Sequence, residues 1–264
     1  MSPRTRVVIT LVTDFGREGV FVGVMKGVIA GIAPQARVID LTHDIPPFNI
    51  VQAAFGLRHA APYFPEGTIH LAVVDPGVGT ERKAVAVRAG GHCFVAPDNG
   101  LLAPVAESLG PDTIVEVRNS DCFLPTVSSS FHGRDVFAPV AAHLAAGVAI
   151  DDLGPQLAAL QPLDAPRARR EADGTIRGEV LWSDRFGNLI TNIPATMLDP
   201  ERTWCVHIGR NTIQKISHTY AQVDAGEPLA MIGSFGMLEI AVRLGNAAHR
   251  LREDSGTPVH VAPA

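Results

Sequence analysis

Asp75 and Arg82 stand at the two ends of Asp75-Pro76-Gly77-Val78-Gly79-Thr80-Glu81-Arg82, directly after the apolar run Leu71–Val74. Val73 and Val74 read as the end of a buried strand, and Pro76, Gly77 and Gly79 then force a loop. Ligands sit at such strand-end loops in α/β folds. A carboxylate held beside a guanidinium stays ionised and oriented, because the fixed positive charge favours the anion. Fifty residues beyond Arg82, the stretch Ser128-Ser129-Ser130-Phe131-His132-Gly133-Arg134-Asp135 offers a histidine in a small polar turn ahead of a helix. Asp75, Arg82 and His132 together are the parts needed to orient and activate a water.

Other polar residues also follow apolar runs. Asp14, in Thr13-Asp14-Phe15-Gly16, ends the first strand. It reads either as a helix N-cap or as a bidentate partner for a ribose diol, as strand-end acids are in dinucleotide folds. A kinase-type D-F-G is excluded, since no H-R-D loop precedes it. His43-Asp44 and Asp98-Asn99-Gly100 read chiefly as turn structure, and Phe48 as a ring that stacks on a base or staples a helix start. In the second half, Asn188 and Asn192 lie in a polar loop between two apolar runs, and either suits a purine edge or plain turn chemistry. Gly233, Ser234 and Gly236 let backbone approach a ligand. Glu239 lies inside an apolar strand and needs a partner. The spacing of Asp14, His43, Asp44, Asp75 and His132 fits no metal signature, so no metal site is expected. No dinucleotide glycine fingerprint, Walker loop or nucleophile elbow is present.

The elements that must position these groups follow from periodicity. Strands are expected at 6–13, 37–41, 68–74 and 113–117, with a hairpin of 83–88 and 92–96 around Gly90-Gly91. Helices are expected at 19–32, 49–61 (capped by Asn49 and stopped by Pro62) and 134–146. This alternation implies an α/β N-terminal domain, residues 1–160, with a largely parallel sheet covered on both faces. The proline- and arginine-rich segment 161–172 reads as a linker. Residues 173–264 then give short apolar runs between turns, a smaller all-β, barrel-like C-terminal domain whose tail from Pro258 frays.

The chain has 264 residues, 46% hydrophobic and 19% charged, which supports a substantial core. Its net charge of −5 argues against nucleic acid as a partner. Cys93, Cys122 and Cys205 are scattered without a C-x-x-C pair and read as reduced thiols of a cytoplasmic protein. No apolar run reaches the length of a membrane span.

Five stretches in order, T-D-F-G, D-P-G-V-G-T-x-R, F-H-G-R-D, F-G-N-x-x-T-N and G-S-F-G-x-L-E-I-A, run through nearly the whole chain. Together they resemble the S-adenosyl-L-methionine hydroxide adenosyltransferase family, relatives of the fluorinases and chlorinases. The resemblance implies hydrolysis of S-adenosyl-L-methionine (SAM), a small-molecule substrate, to adenosine and methionine, with no cofactor. It implies a homotrimer with sites between one subunit's N-terminal domain and a neighbour's C-terminal domain. Asp75, Arg82 and His132 match the water-activating set, Asp14 the ribose-binding acid and Asn188 the asparagine that reads adenine. Ser234 falls by the methionine part, Phe48 where halogenating relatives place an aromatic ring by the substrate, and Glu239 near adenine. The halogenating relatives carry Tyr-Ser in place of His132-Gly133 and Tyr in place of Asp75. A carboxylate repels halide, so Asp75 favours water as nucleophile over the alternative of a halogenase. A protein that binds SAM or adenosine without turnover is the other alternative. Ser183 replaces the acid that some relatives set against the substrate ammonium, with Asp184 beside it.

Overall fold

The computed structural model describes residues 6–264. The chain divides into two compact units, one ending at Asp164 and one running from Ala165 to Ala264, inside the segment read as a linker.

The first unit begins with β1 (Val8–Thr13), α1 (Phe21–Ile32), β2 (Arg37–Thr42), α2 (Ile50–Ala60) and β3 (Ile69–Val73). It continues with β4 (Ala84–Ala89), β5 (His92–Pro97), α3 (Ala103–Leu109), β6 (Pro111–Glu116) and α4 (Ala138–Ala146). The sheet order is β2-β1-β3-β5-β4-β6. β2, β1, β3 and β5 pair parallel in turn, but β4 pairs antiparallel with both β5 and β6. The sheet is therefore mixed, which corrects the expectation of a largely parallel one. The reason is local. Gly90 and Gly91 both have positive φ, 55° and 78°, the conformation of a two-residue hairpin turn, and such a turn joins only antiparallel strands.

Both sheet faces are covered, as expected. Ile9, Leu11, Leu71 and Val73 pack against Met25 and Ile29 of α1 and Val140 and Ala141 of α4. Ala72, Val85 and Phe94 pack against Ala53 and Leu57 of α2 and Val105 of α3. Asn49 caps α2, its side chain accepting from the Gln52 N–H at 2.9 Å.

The second unit is nearly all β: β7 (Arg169–Arg170), β8 (Ile176–Ser183), β9 (Leu189–Pro194), β10 (Trp204–Ile208), β11 (Asn211–Ile213) and β12 (Ile216–Ser217). β13 (Pro228–Ile232), β14 (Met237–Val242), the short α5 (Ala247–Leu251) and β15 (Pro258–Pro263) complete it. The path β11-β10-β15-β8-β9-β14-β13-β12 curls until β11 approaches β13 and β12 approaches β10, so the sheet is nearly barrel-shaped. The C-terminal tail does not fray. β15 lies between β8 and β10, with Val259 and Val261 fully buried, which overturns the expectation.

Candidate active site

Asp75 follows β3 directly, and its carboxylate receives two prongs of one guanidinium. Arg82 Nε donates to Oδ1 at 2.9 Å and Nη2 to Oδ2 at 2.5 Å. The pair is well shielded, with side-chain exposures of 5% for Asp75 and 12% for Arg82. Arg82 Nη2 also lies 2.8 Å from His132 Nδ1. Arginine is always a donor, so Nδ1 must accept and the ring proton must sit on Nε2. The guanidinium carbon also lies over the Phe137 ring, 5.1 Å from its centre, a cation–π contact. Arg82 thus joins the two groups that the sequence places 57 residues apart.

The environment favours neutral imidazole. Burial, then the Arg82 charge, pushes the His132 pKa below 6.5, while Asp75, Asp135 and the Ser128 carbonyl pull the other way without prevailing. Protonating Nδ1 would also set two cations against each other. Activity that depends on this arrangement is therefore retained as pH falls to 6.5 and lost only as it passes through the lowered pKa. The acid limb of a kcat/KM–pH profile is expected below 6.5, and a limb above 7 would contradict the arrangement.

Two loops bring these residues together. Gly79 has φ 79°, and a Cβ there would collide with the Ser129 carbonyl oxygen. Only glycine lets the Asp75–Arg82 loop lie against the serine loop. The Asn99 amide donates to the Val74 carbonyl at 2.9 Å and fixes the strand end below Asp75. On the other side, Gly133–Phe137 winds as one π-helical turn before α4 begins, with His132 at its cap. Such turns are frequent at functional sites. The Asp135 carboxylate, wholly buried, accepts from Ser128 N at 2.9 Å, Ser128 Oγ at 2.8 Å and Arg134 Nε at 2.5 Å. Burial works to raise its pKa, but these donors outweigh it and the net shift is downward.

A cavity of about 230 Å³ opens beside Asp75 and His132, walled by Phe15, Phe21, Phe131 and Val78. Asp14 does not cap α1, whose cap is Val20. Its Oδ2 instead accepts from the Phe48 N–H at 2.9 Å. Phe48 has φ 67°, unusual for a bulky residue, and the residue is 68% exposed. Asp14 thus takes up the backbone N–H of a residue in the left-handed region.

In the second unit, Asp184 organises the Asn188 loop. Its Oδ1 accepts from the N–H groups of Phe186 (2.8 Å) and Asn188 (2.9 Å), and its Oδ2 from Asn188 Nδ2 (3.0 Å). The Asn188 amide is thereby pinned with its carbonyl oxygen directed away from Asp184. Glu239 finds its partner in Tyr220, whose hydroxyl donates to Oε1 at 2.5 Å. Burial, with the Asp184 charge, raises the Glu239 pKa; burial and Glu239 push Tyr220 up to about 12. The turn carrying Ser234 packs on this carboxylate, where a Cβ on Gly233 would strike Glu239 Oε2. The Asp184 charge reaches Glu239 electrostatically, which sets the Asn188 loop near the Glu239–Tyr220 pair.

The remaining candidates make local contacts. His43 Nδ1 meets Thr13 Oγ1 at 2.8 Å, and Asp44 pairs with Arg17 at 2.8 Å. Asn192 bridges Glu179 N and the Pro166 carbonyl. Asp98 accepts from Gln161 N at 2.9 Å. Sequence reasoning missed Phe21 of the cavity wall and Tyr220. The unpaired Glu239 was the signal that could have led to Tyr220.

Residues 9–154 match the profile of the SAM hydroxide adenosyltransferase N-terminal domain, and residues 178–260 that of its C-terminal domain. An (R)-S-adenosyl-L-methionine hydrolase of Salinispora tropica is 42% identical over 96% of this chain and 97% of its own. One of Thermus thermophilus is 41% identical over 94% and 97%. A fluorinase of Actinopolyspora mzabensis is 26% identical over 97% of each. Among solved structures, an uncharacterized conserved protein from Thermotoga maritima superposes with a TM-score of 0.88 at 40% identity, covering 96% of this chain and 99% of that one.

Proposed function

This chain belongs to the SAM hydroxide adenosyltransferase family, and from that premise we propose that it hydrolyses SAM to adenosine and L-methionine, with water attacking ribose C5′. The observation that carries the reading is Arg82 bridging Asp75 and His132 beside one cavity. The leaving group departs from a sulfonium as a neutral thioether, so the reaction calls for neither a general acid nor a Lewis acid. The difficulty lies with the nucleophile. Free hydroxide at pH 7 costs about 12 kcal/mol, from a water pKa near 15.7 at about 1.36 kcal/mol per unit. A positioned base and in-line orientation reduce that cost.

Roles follow from donor and acceptor chemistry. With Nδ1 engaged by Arg82, His132 presents Nε2–H, a donor that orients the water oxygen. Asp75 is then the acceptor for the water proton, and Arg82 holds both in register. Asp14, with Oδ2 on Phe48, offers Oδ1 to a ribose hydroxyl. Asn188 turns its carbonyl oxygen toward the adenine amino group, Phe48 covers the base, and Ser234 and Glu239 complete the substrate contacts. Three hydrogen bonds hold Asp184 against the Asn188 loop, so this reading gives it the positioning of Asn188 rather than the substrate ammonium. Asp184→Ala should accordingly raise the SAM KM roughly 10-fold with a smaller change in kcat, the loss of about one charged hydrogen bond's positioning.

The domains assemble in this reading as a cytoplasmic homotrimer. The Asp75 cavity of one subunit is completed by the Asn188–Glu239 group of its neighbour. Sedimentation equilibrium showing only monomer at assay concentration would refute that arrangement. Halide as nucleophile is disfavoured by the Asp75 carboxylate in the cavity wall. The decisive experiment is mass spectrometry of the products of SAM in ¹⁸O water containing chloride. Label in the adenosine 5′-hydroxyl is expected; 5′-chloro-5′-deoxyadenosine, or binding without turnover, would overturn the reading. Activity is expected to survive EDTA.

A further inference from the structure

Phe15, Phe21 and Phe131 come from the β1–α1 loop, the first turn of α1 and the serine loop, and they meet as a triangle. Ring centroids are 6.0 Å apart for Phe15–Phe21, 5.8 Å for Phe15–Phe131 and 5.1 Å for Phe21–Phe131. All three wall the cavity that holds Asp75 and His132. Phe21 is 48% exposed, so core burial does not account for it. Phe131 already receives one cation, the Arg134 guanidinium, 5.2 Å from its ring centre. Gly133 preserves the spacing, since a Cβ there would lie 3.2 Å from both the Phe15 and Phe131 rings.

We infer that this triangle recognises the positive charge of the substrate sulfonium, and so selects cationic adenosyl sulfoniums over neutral adenosyl thioethers. The inference rests on the hydrolase reading above. A sulfonium carries no N–H or O–H, so hydrogen-bond acceptors have no proton on it to read. Aromatic faces attract it through the ring quadrupole. Asp75, the acid in the cavity wall, already shares its charge with Arg82. In the displacement the water oxygen bonds to C5′ and its proton passes to the base. The C5′–S bond breaks with its electron pair on sulfur, and the cation becomes a neutral thioether. The attraction is greatest for the reactant and absent for the product, so the rings hold SAM and release methionine. They favour the ground state over the transition state and act on KM more than kcat.

The test compares the KM for SAM with the inhibition constant of S-adenosylhomocysteine, the neutral thioether lacking the sulfonium methyl. Phe21→Leu and Phe131→Leu keep apolar bulk and remove the π face. Each should cut the preference for the cation roughly 3- to 30-fold, mainly through KM. Phe21→Tyr, which keeps the face, should retain it. An unchanged preference in both leucine variants overturns the inference. If the wild type does not turn SAM over, it is the hydrolase reading that fails. The triangle is then judged on the dissociation constants of the same two ligands.

Discussion

Asp75→Asn is expected to lower kcat by roughly 10²–10⁴, the range a positioned general base contributes. The amide is isosteric and keeps an oxygen for Arg82, so the loop stays in place, but it does not accept the water proton at neutral pH. Arg82 retains His132 Nδ1 as a partner, which limits the structural cost of the swap to about 1–3 kcal/mol. His132→Asn should cost less than Asp75→Asn, because a ring protonated at Nε2 orients the water and takes no proton from it. The order of the two losses is the informative result. Steady-state kinetics on folded variants, checked by circular dichroism, measures it. Asp75→Asn within tenfold of wild type, or His132→Asn the more damaging, would move the base to the imidazole.

The parts of this site that the sequence discloses are those set by local chemistry. Pro76, Gly77 and Gly79 announce a loop wherever they occur, and Gly90-Gly91 and the Asn49 cap need only their immediate neighbours. What is hidden depends on chain segments meeting. α3 is seven residues long with a proline in its first turn, too short for periodicity to reveal. β15 is bounded by Pro258 and Pro263 and looks like a tail; only its place between β8 and β10 makes Val259 and Val261 core residues. The mixed sheet follows from β4 turning back at Gly90-Gly91, a hairpin the sequence reveals, while β6 joining β4 on its far side depends on a return through α3 that the sequence does not show. The same holds in the site. Asp75 and Arg82 share a motif, but the tautomer of His132 is decided by which ring nitrogen the Arg82 guanidinium reaches, and that is Nδ1. Asp184 looks like a substitute acid beside Ser183 until its oxygens are seen to close the Asn188 loop.

Asp135→Ala should destabilise the first unit by roughly 2–4 kcal/mol, because it deprives a buried site of an ionised acceptor serving several donors. Ser128 N–H and Oγ lose their acceptor, and Arg134, about one-third exposed, swings toward water and recovers part of the loss. For a chain of this size that corresponds to a fall in Tm of roughly 5–15 °C, at about 2–4 °C per kcal/mol. Asp135→Asn should fall between, since its one carbonyl oxygen still accepts from Ser128. Activity should drop further than stability alone dictates, even at temperatures where the variant is fully folded. Ser128 Oγ also receives the Phe131 N–H at 3.0 Å, so the carboxylate, the serine and the cap of the π turn form one chain of contacts ending at His132. Loosening it lets the imidazole leave Arg82, and near-attack geometry is lost with it. Calorimetry and kinetics on the same samples separate the two effects. A variant with wild-type Tm, or one that keeps wild-type kcat while destabilised, would show that Asp135 does not fix the histidine.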